Sequence, residues 1–248
     1  MVELQKYRFL NLKAEKLSTF IQNDAIDFEY KSVHFISAHA YVEGKKSKFL
    51  AETYSKGILI CDSKPLFRIF RFLERDVSHI RGVDFMKYFL ANAPEASHHL
   101  FLGGSNQVRK GILEFGKELN RRDLKFSFII PPMGVNWEKE IASWIVEAKI
   151  LQPNYVWIGM GTPKQFFITE QISDALNKWT FSVGAAFDFV SKVKPEAPIL
   201  FQTLYLEWLF RLVTEPKRLW KRYLLGNISF TFFIAKDLFR AGRNSKAK

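Results

Sequence analysis

Cysteine is almost missing from this chain. Cys61 is the only one, which excludes a disulfide framework. No apolar run approaches the ~18 residues that a membrane-spanning helix needs. Acidic residues are in deficit, 25 against 37 Lys and Arg, so the 248 residues carry a formal charge of +12. The five histidines, His34, His39, His79, His98 and His99, show no metal-ligand spacing with one another or with Cys61, so no metal site is expected. GxSxG, GxGxxG and a Walker A loop are all absent. The opening MVELQKYRFLNLKAEKL lacks the apolar segment of a secretory signal, and with the single thiol this leads to the expectation of a reducing cytoplasm. Apolar residues, by contrast, make up 48% and aromatics 16%, with 25 Phe. A disordered chain would be poor in both. These amounts imply one globular domain, or one with an appendage, with a full core. The positive excess calls for an anionic partner: nucleic acid, a phosphorylated substrate or a membrane surface.

Short apolar runs alternate with amphipathic stretches, the pattern of an α/β fold with a mostly parallel sheet flanked by helices. Strands are predicted at 33–40, 57–62, 98–104, 125–131, 154–161 and 179–187. The clearest helices are predicted at 46–54, 105–120, 137–150 and 163–177. After Pro198 only helical patterns remain, which divides the chain into an α/β body, 1–197, and a helical appendage, 198–248.

The charge is uneven. From Leu200 onward ten basic residues face three acids, so +7 of the +12 lies in the last fifth of the chain. Trp208, Phe210, Trp220, Tyr223, Phe230, Phe232 and Phe233 are interleaved with them. Such a mixture suits a helix lying on anionic lipid. A core-packing helix with a solvated basic face accounts for it equally well. The segment 229–235, SFTFFIA, is too short to span a bilayer.

Several predicted strands end in Gly or Asp, where open α/β sheets hold their ligands. Gly103 and Gly104 follow a strand and precede a helix, so their amides could cradle a phosphate, or they form a tight turn. GMGTPKQ, 159–165, also joins a strand to a helix. Gly159 and Gly161 permit close approach, Pro163 suits a helix start, and Lys164 and Gln165 fall in the first turn. Lys164 opposes the helix dipole, so propensity does not explain it. Asp62 ends a strand as a candidate general base, or as the N-cap of a helix beginning near Pro65. Asp188 follows GAAF in the same kind of position.

At GMGTPKQ (159–165), GAAFDFVSKVKPEAP (184–198) and LEWLFRLVTEPKRLWKRY (206–223) the sequence resembles the WecG/TagA/CpsF family of bacterial glycosyltransferases, over about residues 30 to 240. The resemblance implies an inverting, metal-independent transfer from a UDP-sugar, the donor substrate, with no cofactor. Donors in the family include UDP-N-acetylmannosamine, its uronic acid and glucuronic acid. The acceptor is an undecaprenyl-diphosphate-linked saccharide at the inner face of the cytoplasmic membrane, in cell-surface polysaccharide synthesis. The fold implied is a Rossmann-like body with a helical C-terminal appendage that contacts the membrane. A homo-oligomer is allowed for; nucleic acid is not expected as a partner.

Carried over by residue, the resemblance puts the proposed general base on Asp62. The family's Thr-x-Asn falls on Ser37-Ala38-His39, so His39 replaces Asn. The Arg of Arg-Val-x-Gly-x-Asp falls on His79, with Gly82 and Asp84 kept. Pro-Lys-Gln-Glu becomes Pro163-Lys164-Gln165-Phe166, and Arg-Ala-Pro becomes Glu196-Ala197-Pro198. The appendage motif is intact, including Glu207, Arg211, Arg218 and Arg222. The catalytic set expected is Asp62, His39, Gln165 and Arg211. The donor diphosphate is expected near Ser37, His79, Gly103, Gly104, Gly159, Gly161, Pro163, Lys164, Asp188, Arg218 and Arg222. The four departures point to a different sugar or to low activity. The competing reading is a non-catalytic relative serving as a binding or scaffold subunit of a glycan assembly complex.

Overall fold

The computed structural model describes residues 9–23, 31–73, 76–204 and 206–245; in the last helix the side chains at 218, 221–225, 227 and 238–245 are outside the description. Six strands form one sheet: β1 (Ser32–Ile36), β2 (Ile58–Cys61), β3 (His98–Gly103), β4 (Lys125–Ile129), β5 (Tyr155–Gly159) and β6 (Trp179–Ser182). Their order is β2-β1-β6-β5-β3-β4 and every pairing is parallel. A parallel sheet needs helices on both faces, so its strands read as continuous apolar runs. Accordingly β1, β2, β3 and β6 are buried along their whole lengths, β5 is buried up to its last residue, Gly159, and the edge strand β4 is the most open. This is the α/β Rossmann-like architecture expected of the sequence.

The twelve helices among the described residues begin with α1 (Ala14–Gln22), α2 (Ala38–Lys46), α3 (Lys48–Lys56), α4 (Lys64–Phe72), α5 (Gly82–Ala91) and α6 (Asn106–Glu118). They continue with α7 (Trp137–Leu151), α8 (Lys164–Leu176), α9 (Ala186–Val190), α10 (Ile199–Thr203), α11 (Glu207–Thr214) and α12 (Pro216–Ser245). Strand side chains alternate between faces. Tyr155 and Trp157 therefore enter the core under α1, α5, α6 and α9, while Val156 and Ile158 enter the one under α7 and α8. Much of the aromatic excess is consumed in the first of these cores. Phe85, Phe89, Phe101, Trp157 and Phe181 are wholly buried there, with Trp157 and Phe181 only 4.4 Å apart at their ring centres.

Two predicted strands are longer than the real ones. The run 33–40 stops at Ile36 because the Ser37 hydroxyl accepts the Ala40 N–H and starts α2. The run 179–187 stops at Ser182, where Gly184 takes φ +55° and the chain turns into α9. The edge of β2 is covered by single bridges, Phe9 to Leu59 and His79 to Cys61.

Beyond Pro198 the chain is helical, and α12 returns over α2. Asp237 is 2% exposed, accepts a hydrogen bond from the Tyr41 hydroxyl and pairs with Lys45 Nζ at 2.9 Å. Ile234 shares a buried cluster with Tyr41. The segment 229–235 lies inside α12. Among the described residues, no helix is long and apolar enough to cross a membrane.

Candidate active site

In a parallel sheet all strands end at one edge, and loops leaving neighbouring strands in different directions open a crevice there. Here the ends of β1, β2, β3, β5 and β6 meet in a cavity of about 760 Å³. Ser37 follows β1, Asp62 follows β2, Gly104 follows β3, Gly159 closes β5 and Val183 follows β6; all five line it. The wall is completed by Gln165 at the start of α8, by Arg81 and Gly82 at the start of α5, and by Glu207, Trp208 and Arg211 of α11.

Asp62 is fixed at both ends. Its N–H donates to the Ile36 carbonyl at 3.0 Å, and its Oδ1 accepts the Gly82 N–H at 2.7 Å. The capping alternative is therefore right in kind but belongs to another helix. Asp62 serves the N-terminus of α5, while Ser63 is the N-cap residue of α4 and makes no side-chain cap. Burial pushes the Asp62 carboxyl up to about 6. The Gly82 N–H and the positive fields of Arg211 and Arg81 hold it from rising further, and Glu207 pushes it up. A carboxylate with that value is ionised near neutrality and retains real basicity, the condition for a general base.

Gln165 is 4% exposed, and its Oε1 has no hydrogen-bond partner among the described residues. A Cβ on Gly184 would stand 2.9 Å from that oxygen, so the glycine makes room for the amide. A buried acceptor without a donor is costly unless a ligand supplies one. Gly161, at φ +77°, would leave an added Cβ in open space. Gly159 has a packing reason: a Cβ there would lie 2.3 Å from the Phe187 ring.

Three cations stand at the cavity. Arg211 lies over the Phe189 ring, 4.7 Å from its centre. Lys64 donates to the Gln202 carbonyl of α10. Arg81 joins Asp84 Oδ1 at 3.1 Å, Gln202 Oε1 at 3.0 Å, Glu196 Oε2 at 3.3 Å and Glu207 Oε1 at 3.6 Å. It ties α5 to α10 and α11 across the cavity wall. Asp188 lines the cavity and pairs with Lys194 at 2.7 Å.

Of the residues singled out in the sequence, Ser37, His39, Asp62, Gly104, Gly159, Gly161, Gln165, Asp188 and Arg211 line the one cavity. Gly103, Pro163 and Lys164 are not in its wall. Gly103 instead allows β3 and β5 to approach: a Cβ there would meet the Gly159 carbonyl oxygen at 2.6 Å. His79 requires a correction. It bridges to Cys61, its ring sits 5.9 Å from that of Phe67, and it is not in the cavity wall. Burial first, and the Lys64 charge second, lower its pKa to about 4. At neutral pH it is uncharged and unsuited to meeting a phosphate as a cation. Arg81, two residues later, lines the cavity in its place, paired with Asp84, Glu196 and Glu207. The side chains of Arg218 and Arg222 lie outside the described residues. Sequence reasoning missed Arg81 and Lys64. Arg81 had one legible signal, an arginine directly before the glycine that opens a helix.

The description "Glycosyl transferase WecG/TagA/CpsF family" fits residues 2–244, nearly the whole chain. Two curated proteins from Staphylococcus aureus, strains MRSA252 and NCTC 8325 / PS 47, are each 24% identical to it. Each match covers 88% of this chain and 80% of the relative. Both relatives are named N-acetylglucosaminyldiphosphoundecaprenol N-acetyl-beta-D-mannosaminyltransferase.

Proposed function

The chain belongs to the WecG/TagA/CpsF family of glycosyltransferases, and from that premise we propose that it moves N-acetylmannosamine, or a close relative of that sugar, from a UDP-sugar to an undecaprenyl-diphosphate-linked saccharide. The reaction is a direct displacement. Asp62 takes the proton of the acceptor hydroxyl, and the oxygen attacks the anomeric carbon from the face opposite the leaving group. The bond from that carbon to the diphosphate breaks, UDP departs with the electron pair, and the configuration inverts.

One observation carries this reading: Asp62 sits at the end of β2 in the cavity, with its carboxyl raised to about 6. Around it, the turn 159–162 and Gly104 offer backbone to the donor diphosphate. Arg211 supplies positive charge where UDP leaves, in place of a divalent ion. Gln165 Oε1 takes a hydrogen bond from a donor group on the bound sugar nucleotide. His39, in the same wall, orients the acceptor hydroxyl. The exposed apolar side chains of α10–α12 hold the protein peripherally on the inner face of the cytoplasmic membrane, where the acceptor is anchored.

The test is a transfer assay with an N-acetylglucosaminyl-diphosphate-lipid acceptor and a series of UDP-sugars, run in excess EDTA. UDP release that depends on acceptor, with an inverted product linkage by NMR, is expected from one donor. No acceptor-dependent release from any donor, with or without Mg²⁺, would contradict the proposal.

A further inference from the structure

Helix α4 opens at the cavity and runs along the surface with an unusual outward face. Its sequence, KPLFRIFRF, contains Lys64, Arg68 and Arg71 and no acid. The inward positions, Leu66 and Phe70, are buried in the cluster that also holds Ile234, with Phe230 and Phe233 of α12 packed against it. The Phe9 ring lies 4.7 Å from that of Phe70. Positions 65, 68 and 72 fall on the opposite face at i, i+3 and i+7, with 71 beside them. All four are exposed, and Phe72 is 77% exposed. Phe72 thus stands in solvent beside Arg68, four residues before it, and Arg71.

The position of α4 gives that face a meaning. Ser63, Lys64 and Pro65, at its start, line the cavity. Lys64 bonds the Gln202 carbonyl, so the first turn of α4 touches α10, where Ile199, Leu200 and Leu204 are 77%, 65% and 57% exposed. The cavity is thus bounded both by α4 and by the C-terminal helices, through Trp208, Leu219 and Phe230.

We infer that α4 is a second membrane-contacting element, inside the α/β body, that meets anionic lipid headgroups alongside the C-terminal helices. This rests on the proposal of a lipid-anchored acceptor. Such a substrate reaches the cavity only if the rim faces the bilayer, and α4 is part of the rim. Arg68 and Arg71 meet the headgroups, and Phe72 enters the interface beside them.

The experiment is co-sedimentation of the full chain with vesicles of phosphatidylglycerol and phosphatidylcholine, and with pure phosphatidylcholine, at low and high salt. The double variant R68E/R71E should bind anionic vesicles on the order of tenfold more weakly than the native chain. Phe72→Ser should weaken binding severalfold and keep that effect at high salt, where charge is screened. The same charge reversal at Lys139 and Lys149, exposed on α7 at the far end of the sheet, should change binding less than about twofold, since attraction falls off within a Debye length. These side chains are exposed, so unchanged thermal melts will show that the variants fold. Binding by the α4 variants equal to that of the native chain would overturn the inference and leave the lipid-acceptor proposal standing. A native chain that ignores anionic vesicles would overturn both. The readout needs no turnover, so an error in the donor or the base does not affect it.

Discussion

The strand-end platform and the C-terminal helices use their apolar residues in opposite ways. Around the sheet, Phe85, Phe89, Phe101, Trp157 and Phe181 are fully buried and hold the strand ends in register. Beyond Pro198, Ile199, Leu200, Val213, Ile228 and Phe232 are each more than 60% exposed; among described apolar residues of α11 and α12 only Leu219 and Ile234 are buried, with Phe230 and Phe233 packed against the core. The body owes its fold to what it buries. The C-terminal helices are attached by a few specific contacts and keep most of their apolar surface for something else. The groups proposed for catalysis fall on the seam, with Asp62 and Gln165 from the body and Arg211 from α11.

That contrast can be broken by mutation. The largest stability effect belongs to the body: Phe181→Ala should cost about 3–5 kcal/mol in chemical denaturation, as for other buried aromatics. Next is the attachment of α12. Asp237→Ala removes the buried carboxylate that accepts from Tyr41 and pairs with Lys45, and should cost roughly 3 kcal/mol, seen as faster amide exchange in α12 than in the sheet. If exchange rises equally everywhere, α12 is not held separately and the contrast fails. The smallest effect is at an exposed site: Phe232→Ser should shift stability by less than about 0.5 kcal/mol. A large loss there would mean that the C-terminal helices depend on that face for folding.

The fold was legible because a parallel sheet buried on both sides writes each strand as an apolar run. All six predicted strands, and the predicted helices matching α3, α6, α7 and α8, are present. α2 and α5 were not legible as separate helices, and α4 only through the helix start near Pro65. The run 33–40 stays apolar through Ala38 and Ala40, so its period does not reveal the cap at Ser37. The site was legible where a residue ends or directly follows a strand, as with Asp62 and Gly159; Asp188 reaches the cavity from within α9 rather than from a strand end. It was not where the third dimension decides. Arg81 reaches the cavity because the bridge between His79 and Cys61 brings the start of α5 to the end of β2. No local pattern encodes that long-range pairing, and His79 drew attention in its place. The opening excess of positive charge also reads differently. Arg81 is neutralised by Asp84, Glu196 and Glu207, so the local ion pairs matter more at the cavity than the total of +12.

The account stands on Asp62 as the base. Its raised pKa means that burial disfavours its charge, so the carboxylate destabilises the fold as pH rises through about 6. Asp62→Asn should then keep or raise the melting temperature at pH 7, since Asn can still accept the Gly82 N–H. The decisive measurement is the pH profile of kcat/KM for the native chain beside that of Asp62→Asn. The native profile should fall tenfold per pH unit below about 6. The variant should be about 10²- to 10⁴-fold slower at pH 7 without that limb. A variant that transfers sugar at the native rate, or that keeps the same acid limb, would contradict the account.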